Sequence, residues 1–335
     1  MKINVISESQ WFPVLWGGTH TAFLNSIDAL KTQDVTIAIN SLGTADITHI
    51  HTFGLFSLYK LLTSKHTVVT SHMMPETLVG TFKGDKYWFR ILTAYLRFFY
   101  NHADLIIALN QKTQTKLREL GVNKKMVIVH NAINVDMFKP NSALRDKGRK
   151  ELHLQRNDFV VLGVGHFIPR KVIKDFVHLA EQLPNFTFLW VGGKPVGILN
   201  ATSKQEHGAI NHLPSNVIII ENVSYDTMPL YFNMSDVFLS LSYHEVSPMS
   251  ILEAAASGLP VILRDLQQYK TMYHDDYLVG EDIYEFKNAL QTLYSNKNVY
   301  KEFVAKSKNL ADSFSSHKIG SEMLKQYQNL FKLSL

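Results

Sequence analysis

The chain has no cysteine among its 335 residues, which excludes disulfides and thiolate-ligated metals and is compatible with a reducing cytosol. No apolar run approaches the roughly 20 residues that span a bilayer. The first strand, KINVIS, begins at residue 2 without a long apolar leader. No Asp-x-Asp occurs, and no group of histidines and acids has metal-ligand spacing. These absences predict a protein without disulfides, without a membrane-spanning segment and without a metal requirement.

The composition is that of a globular protein. Hydrophobic residues make up 46% and charged residues 19% of the chain, and the length suits two domains that each bury a core. Lysine and arginine exceed aspartate and glutamate by 34 to 29, a formal charge of +5. Such an excess favours an anionic membrane surface or nucleic acid, and its location along the chain has to decide between them.

Short β-rich runs alternate with helical patterns throughout, which predicts parallel βαβ units. The predicted strands are 2–7, 35–39, 47–51, 67–70, 104–108, 126–130, 159–165, 186–191, 217–220, 236–241 and 260–263. The predicted helices are 18–30, 55–64, 81–101, 111–119, 173–182, 226–233, 248–257, 283–295, 298–311 and 319–331. The polar stretch 139–158 reads as a linker with a short helix, so the domain boundary is expected there.

Two carboxylates lie eight positions apart in EVSPMSILE, which follows the apolar strand VFLSLS. The pattern predicts a helix with Ser247 as its N-cap, Pro248 at its first position and Gly258 as a left-handed stop. Glu245 then lies at the carboxyl edge of a strand, where ligands bind open α/β sheets, and Glu253 lies inside the helix. The alternative reading is a capped surface helix with two solvated acids.

Two further segments follow strands and suit phosphate binding. Gly17 and Gly18 precede helix 18–30, where a missing Cβ lets the backbone approach a ligand closely. Arg170 and Lys171 end the loop after a buried strand, where two cations can neutralise a diphosphate. A plain tight turn and a solvated basic turn are the respective alternatives.

The same loop excludes one common class of enzyme. Gly163-x-Gly165 suggests a dinucleotide fingerprint, but Ile168 stands where the third glycine belongs. No acid ends a second strand at the expected distance. The sequence therefore does not support a dehydrogenase.

The segment 81–101 predicts a helix with a basic stripe. Lys83, Lys86, Arg90 and Arg97 fall within an arc of roughly 60° at 100° per residue, beside aromatic and aliphatic bulk. This pattern is typical of a helix on an anionic membrane interface. A core helix with one solvated basic face is the alternative. Nucleic acid is not an expected partner, because the cations form one short stripe without a recognisable binding module.

The Glu-x7-Glu segment resembles the signature of glycosyltransferase family 4, retaining enzymes with the GT-B architecture of two Rossmann-like domains facing across a cleft. The resemblance implies that Glu245 binds donor-sugar hydroxyls and Glu253 the ribose of the nucleotide. It assigns the diphosphate to Arg170 and Lys171. The glycine-rich residues that many relatives carry after the first Glu are replaced here by Val246-Ser247-Pro248, and Pro248 has no N–H to donate. Within this segment, Ser247 is a candidate residue for binding the donor.

The resemblance also implies roles for residues of the first half. Gly17 and Gly18 match the family's glycine-rich loop. His72, at the end of strand TVVTS, matches a histidine that contacts the donor sugar and helps to stabilise developing positive charge. A merely structural histidine is the alternative, and His51 is a weaker candidate for the cleft. Asn131 matches a turn that serves chain geometry.

Three longer segments, DITHIHTFGLFSLYKL, GHFIPRK and EVSPMSILEAAASGLPVILRD, narrow the resemblance. They are similar to bacterial enzymes that add a hexose to glycosyl-diacylglycerol for lipoteichoic acid anchors. This implies a metal-independent hexosyltransferase that uses UDP-glucose or UDP-galactose, peripheral on the inner face of the cell membrane. The alternatives are a polyprenyl-linked or soluble glycan acceptor and a non-catalytic GT-B partner subunit.

The domain expectation has three parts. Residues 1–140 form a Rossmann-like domain on the acceptor and membrane side. Residues 141–315 form a second such domain that binds the nucleotide sugar. The resemblance implies that residues 316–335 form a helix that packs back on the first domain.

Overall fold

The computed structural model describes residues 1–12, 17–74, 85–193 and 212–332, with the backbone only for residues 85–88. Within these ranges the chain forms two compact units. Unit 1 holds residues 1–134 and 314–332, and unit 2 holds residues 135–193 and 212–313. The divisions thus fall after residues 134 and 313, a few residues before the predicted boundaries at 140 and 315.

Unit 1 contains a six-stranded parallel sheet in the order β2-β1-β3-β4-β5-β6. Its strands are β1 (Lys2–Ile6), β2 (Thr36–Ile39), β3 (Ile47–Ile50), β4 (Thr67–Ser71), β5 (Leu105–Ala108) and β6 (Met126–Ile128). The crossovers contain α1 (Gly18–Lys31), α2 (Leu55–Thr63), α3 (Asp85–His102) and α4 (Gln111–Glu119). Because crossovers are right-handed, the helices that join β3 to β6 cover one face of the sheet and α1 covers the other.

Two apolar clusters sandwich this sheet. On one face, residues of α2, α3 and α4 such as Leu61, Leu96 and Leu117 are buried together. On the other face, α1 packs with the last described helix of the chain, α13 (Ser316–Lys332), through residues that include Phe23 and Ile319. The described part of the segment 316–335 therefore lies within unit 1, although unit 2 precedes it in the sequence.

Unit 2 contains a second six-stranded parallel sheet, in the order β12-β11-β10-β7-β8-β9. Its strands are β7 (Phe159–Val164), β8 (Phe186–Val191), β9 (Val217–Ile220), β10 (Val237–Ser240), β11 (Val261–Arg264) and β12 (Leu278–Gly280). Its helices are α5 (Val135–Phe138), α6 (Ser142–Glu151), α7 (Ile173–Gln182), α8 (Met228–Met234), α9 (Met249–Ala256), α10 (Gln267–Tyr273), α11 (Ile283–Ser295) and α12 (Lys297–Ser313). Two Rossmann-like α/β units confirm the predicted fold class.

The strand order of unit 2 changes direction beside β7. The chain proceeds outward through β7, β8 and β9, then returns to place β10 on the other side of β7. In open α/β sheets such a reversal leaves a crevice at the carboxyl ends of the two strands, and ligands bind there. The loops that follow β7 and β10 carry the basic pair and Glu245.

One local prediction is wrong. Helix α9 begins at Met249, and its N-cap is Pro248, whose side chain makes no capping hydrogen bond. The proline ring allows φ near −71°, but ψ is 123°, so Pro248 is extended and the helix begins after it. Ser247 is therefore not the cap. The predicted stop is confirmed: Gly258 has φ 74°, and the N–H of Leu259 bonds to the carbonyl of Ala254.

Candidate active site

A sharp turn after β7 holds the basic pair of unit 2. Arg170 and Lys171 lie in a 3₁₀ turn, and the next residue, Val172, is left-handed with φ 56°. That conformation is costly for a β-branched residue, so the surrounding fold enforces it. The stem of Lys171 lies over Gly165, where an added Cβ would be 2.9 Å from Cε of the lysine. The turn thereby directs Lys171 back toward the carboxyl end of its own strand.

Both cations form ion pairs with one oxygen of Glu245. Lys171 Nζ lies 2.7 Å and Arg170 Nη1 lies 2.8 Å from Oε1 of Glu245. The backbone joins the loops as well, because the N–H of Tyr243 donates to the carbonyl of Arg170 at 3.1 Å. Burial alone would raise the pKa of Glu245, but Lys171 and Arg170 outweigh it and lower the pKa to about 2. The structure thus gathers three predicted site residues into one cluster with an ionised carboxylate.

Glu253 is buried in helix α9, between Leu252 and Ala254 in the sequence. Burial raises the pKa of its carboxyl to about 8, and Lys171 opposes this rise only in part. At neutral pH most molecules therefore carry a proton on Glu253. A neutral carboxyl group both donates and accepts hydrogen bonds, and a hydroxyl group can pair with either function.

Three histidines of unit 1, His49, His51 and His72, lie together near the carboxyl ends of β3 and β4. His51 Nδ1 lies 2.9 Å from His72 Nε2, and the two rings stack at 5.1 Å. His49 bonds through Nε2 to Thr70 at 2.6 Å and through Nδ1 to the hydroxyl of Tyr327 at 2.8 Å. Burial lowers the pKa of His49 and of His72 to about 3 and keeps that of His51 well below its usual value. All three imidazoles are consequently neutral near pH 7.

The hydrogen bond between the two histidines limits what His72 can do. Because Nε2 of His72 is engaged by His51 and its backbone N–H donates to the carbonyl of Thr70, only Nδ1 and the main-chain carbonyl of His72 are left to face a ligand. His51 Nε2 lies 3.3 Å from the hydroxyl of Ser26, so this hydroxyl helps to set which ring nitrogen of each histidine carries the proton. His51 and Asn131 both line a cavity of about 20 Å³, a volume suited to one water molecule.

The predicted glycine loop lies at the start of α1. Gly17 is the N-cap, with φ 44°, a conformation that favours glycine. An added Cβ at Gly18 would meet no described atom within 4 Å, so packing does not require a glycine there. The position leaves room for a ligand group near the helix N-terminus.

The predicted basic stripe is described only in part. Arg90 and Arg97 are exposed on α3, and the guanidinium of Arg97 rests against Gly121. Lys83 and the side chain of Lys86 lie outside the described residues. Across residues 1–12, 17–74, 85–193 and 212–332, no helix is long and apolar enough to cross a membrane. In the same part of the chain, no three histidine, aspartate or glutamate side chains are grouped as metal ligands.

Comparison with known proteins identifies the family of the chain. Residues 145–310 match the model for "Glycosyl transferases group 1", and residues 24–137 match that for "Glycosyltransferase Family 4". The alpha-galactosylglucosyldiacylglycerol synthase of Streptococcus pneumoniae is 30% identical over 94% of this chain and 86% of its own length. The chain is a family 4 glycosyltransferase. The predicted resemblance and the predicted hexosyltransferase activity are confirmed.

Other relatives of the glycosyltransferase cover its full length. A processive diacylglycerol alpha-glucosyltransferase of Acholeplasma laidlawii is 26% identical over 99% of both chains. Among solved structures, HepE of Anabaena in complex with UDP and glucose has a TM-score of 0.76, with 17% identity over 98% of this chain and 99% of its own. Sucrose-phosphate synthase of Thermosynechococcus elongatus has a TM-score of 0.77, with 16% identity over 99% of this chain and all of its own. These structures establish the GT-B fold.

Sequence reasoning missed two residues that support the glycosyltransferase site. Gln268, on α10, donates from Nε2 to the backbone carbonyl of Glu245 at 2.9 Å. Arg264, at the end of β11, donates to the carbonyl of Leu241 at 2.8 Å and lies 4.0 Å from the ring centroid of Tyr243. An arginine that ends the apolar strand VILR was a visible signal. No local pattern distinguishes Gln268.

Proposed function

We propose that this glycosyltransferase moves glucose or galactose from a UDP-sugar to a membrane glycolipid, monoglycosyl-diacylglycerol, with retention and without a metal ion. The observation that carries the proposal is the cluster of Glu245, Arg170 and Lys171 where unit 2 reverses strand order. The printed names of two relatives, one a galactosylglucosyldiacylglycerol synthase and the other a diacylglycerol glucosyltransferase, support the acceptor. The product would then serve as a glycolipid anchor of lipoteichoic acid.

The leaving diphosphate is assigned to the basic pair. Arg170, which is partly exposed, offers a planar fork to phosphate oxygens, and Lys171 adds a point charge from a less exposed position. The N-terminus of α9 contributes partial positive charge to the same region. Fixed positive charge that faces developing negative charge is the usual source of rate enhancement in such sites. Two cations and a helix terminus would take the place of a divalent ion.

The sugar and the nucleotide are assigned to the two acids and to His72. Ionised Glu245 accepts hydrogen bonds from sugar hydroxyls, and Glu253 binds the ribose hydroxyls. The acceptor hydroxyl attacks the anomeric carbon on the face from which the diphosphate leaves, and its proton passes to a phosphate oxygen. Neutral His72 presents Nδ1 or its main-chain carbonyl to the sugar. Gly17, Gly18 and Ser247 complete the proposed donor site.

The acceptor side is assigned to unit 1. A lipid acceptor keeps the enzyme at a bilayer, and the stripe of Lys83, Lys86, Arg90 and Arg97 would attract it to anionic lipid on the inner face of the cell membrane. Each cation near such a surface contributes about 1 kcal/mol. The enzyme would thus act as a peripheral membrane protein.

The decisive experiment supplies radiolabelled UDP-glucose or UDP-galactose with four acceptors: diacylglycerol, glycosyl-diacylglycerol, a polyprenyl-linked glycan and a soluble glycan. We expect label in a diglycosyl-diacylglycerol, with the anomeric configuration of the donor and unchanged yield in EDTA. Transfer only to the polyprenyl-linked or soluble glycan would contradict the proposed acceptor. Loss of transfer in EDTA would contradict the metal-independent mechanism. Absence of transfer to every acceptor would contradict catalysis.

Two variants test the site assignment. Glu253→Ala should raise the donor KM strongly, because the ribose loses its partner, and Lys171→Ala should lower kcat. Lys174→Ala is the matched control, since Lys174 is an exposed lysine three positions further along the chain. Turnover equal to that of the wild type in both test variants would remove the site assignment.

A further inference from the structure

The outer helical layer of unit 1 exposes a set of large apolar side chains. Trp11, Phe12, Leu55, Tyr59 and Leu62 are 49%, 59%, 86%, 50% and 54% exposed. We call these five residues the apolar stripe. Single exposed apolar residues are ordinary, but contiguous groups of them mark interaction sites. The transfer reaction does not account for these five side chains, because none of them belongs to the proposed donor site.

The apolar stripe is contiguous. Leu55, Tyr59 and Leu62 recur at spacings of four and three on α2, so they share one face of that helix. The opposite face of α2 is buried through Ser57 and Leu61. The ring of Trp11 lies 5.2 Å from that of Phe56, which in turn lies 6.4 Å from that of Tyr59. The loop after β1 therefore extends the face of α2.

Helix α3 lies beside α2 in the same layer and continues the surface. The hydroxyl of Tyr95 on α3 donates to the carbonyl of Phe53, just before α2, at 2.6 Å. The solvent side of α3 exposes Arg90, Ile91, Arg97 and Phe98, which repeat after seven residues and so form one face. Arg90 and Arg97 on this face are the described part of the basic stripe. Beside it runs a surface groove of about 520 Å³, which Ala94 and Leu120 also line.

The described side chains of α2 and α3 carry charge of one sign. The sequence of α2, LFSLYKLLT, contains no acid, and none occurs in residues 89–102 of α3. Tryptophan, tyrosine and leucine beside arginine are the composition of helices that lie in the interface of a lipid bilayer. A surface of that kind repels a second copy of itself through its arginines.

We propose that the apolar stripe inserts into the headgroup boundary of an anionic phospholipid bilayer while the basic stripe binds the headgroups. The inference rests on the proposed function, since it places the bilayer relative to the glycolipid acceptor. Helix α2 begins at Leu55, and in a parallel βαβ unit the helix begins at the carboxyl edge of the sheet. His51 and His72 lie at that edge. Insertion of Leu55 therefore brings the acceptor headgroups toward the histidines.

The proposal requires both electrostatic attraction and burial of apolar surface, and salt separates it from attraction by the basic stripe alone. Electrostatic binding requires anionic lipid and fades with salt, whereas burial of apolar surface persists. We expect the wild type to sediment with vesicles of phosphatidylglycerol and phosphatidylcholine, and to retain part of this binding at 0.5 M salt (a concentration of about three times the physiological value). Leu55→Ser combined with Leu62→Ser should lower the partition coefficient by roughly tenfold or more at either salt concentration.

Matched variants separate the contributions. Arg90→Gln combined with Arg97→Gln should weaken binding at low salt and leave the residual binding at high salt unchanged. Tyr284→Ser is the control, because Tyr284 is 71% exposed on α11 of unit 2, outside the proposed face. The control should bind vesicles as the wild type does. Equal vesicle binding by the leucine variant and the wild type would overturn the proposal.

The absence of cysteine allows a direct measurement of depth. A polarity-sensitive fluorophore on Leu62→Cys should shift to the blue with vesicles, whereas the same label on Tyr284→Cys should not. Sedimentation equilibrium without lipid gives a further outcome: a wild-type dimer that the leucine variant dissolves would identify the face as a subunit interface and overturn the proposal.

Hexose transfer to detergent-dispersed glycosyl-diacylglycerol separates this inference from the proposed function. If transfer occurs and the leucine variant still binds vesicles normally, the membrane face is wrong and the function stands. If no transfer occurs but the label on residue 62 shifts to the blue with vesicles, the proposed membrane face is supported and the proposed function is wrong.

Discussion

Glu245 and Glu253 belong to one sequence motif, yet their carboxyl groups have pKa values on opposite sides of neutrality. Both are buried, so burial favours the neutral form of each. Glu245 has Lys171 and Arg170 within hydrogen-bonding distance, and its pKa falls to about 2. Glu253 has no such contact in the part of the chain that the structure describes, and its pKa rises to about 8. At neutral pH Glu245 is therefore ionised, whereas Glu253 carries a proton.

A substitution at Glu253 tests this difference. Glu253→Gln preserves the shape of the neutral acid and removes the cost of keeping a proton that the unfolded chain releases above its usual pKa of 4.5. Since the folded pKa is raised, the wild type loses stability as pH rises from 4.5 to 8. We expect Glu253→Gln to gain up to about 3 kcal/mol in free energy of unfolding at pH 7 and almost nothing at pH 4.5. Urea unfolding at the two pH values measures the difference.

The same variant should bind donor less well, because the NH2 group that replaces one carboxyl oxygen cannot accept a hydrogen bond from a ribose hydroxyl. A rise in donor KM that accompanies the gain in stability would link the two properties to one residue. An equal stability difference at both pH values would contradict the raised pKa.

The role of His51 is testable through its neighbour. His51→Phe removes the hydrogen bond to His72 Nε2 and frees the tautomer of His72. We expect kcat to fall by about tenfold, the order of a lost positioning hydrogen bond, with little change in donor KM. Nitrogen-15 NMR shifts of His72 should show a single neutral tautomer in the wild type and a mixture in the variant. A mixed tautomer in the wild type would contradict the assignment.

At the scale of helices and strands, the sequence pattern predicts the elements whose formation depends on neighbouring residues. The apolar runs predict β8 at 186–191 and β9 at 217–220, as observed, because buried parallel strands are continuous hydrophobic segments. Strand β12 has only three residues, and α10 follows Leu266, which offers no capping side chain. Both lack the signals on which sequence reading depends, and both were missed.

The candidate site shows the same limit. Arg170, Lys171 and Glu245 could be expected together because the carboxyl ends of parallel strands meet at one edge of a sheet. Gln268 reaches the carbonyl of Glu245 from α10, an element that the sequence did not reveal. The bond between His51 and His72 depends on the register of β3 against β4, which local pattern does not determine. Long-range geometry therefore accounts for what remained unpredicted.

The packing of α13 on α1 provides a prediction at this scale. Gly320 lies so close to the carbonyl oxygen of Ala29 that an added Cβ would clash with the backbone. Gly320→Ala should lower the free energy of unfolding by about 1–3 kcal/mol, because backbone, unlike a flexible side chain, has to shift as a unit. Ser321→Ala is the control at an exposed neighbouring position. Equal thermal unfolding temperatures for the two variants would contradict the close approach.

For the molecule as a whole, acid pH affects the buried histidines of unit 1 and Glu253 of unit 2 in opposite directions. The histidines of unit 1 are neutral when folded, and the usual pKa of 6.5 applies when the chain unfolds. The contribution of these neutral histidines to the free energy of unfolding is complete above pH 6.5 and declines as pH falls toward 3. In unit 2, by contrast, the raised pKa of Glu253 makes the folded state more favourable as pH falls from 8 to 4.5. Unit 1 is consequently expected to limit stability in mild acid.

His49 allows this expectation to be measured. It faces His51, His72 and the hydroxyl of Tyr327, and each buried neutral histidine costs about 2 kcal/mol of stability at pH 5 relative to pH 6.5 and above. His49→Gln removes one titrating group and keeps a hydrogen-bonding side chain. The slope of unfolding free energy against pH between 6.5 and 5 reports the number of protons taken up on unfolding, and in the variant this number should fall by one. An unchanged slope would show that His49 is already charged in the folded state.

The position of α13 has a consequence for biosynthesis. A ribosome releases unit 2 before it has translated the helix that closes one face of unit 1, and Tyr327 reaches His49 only after unit 2 has been made. The first unit to be started is the last to be finished. Until then the nascent sheet exposes the apolar surface that Ile319 and Met323 later cover, and we expect chaperones that bind exposed apolar segments to bind this unfinished chain.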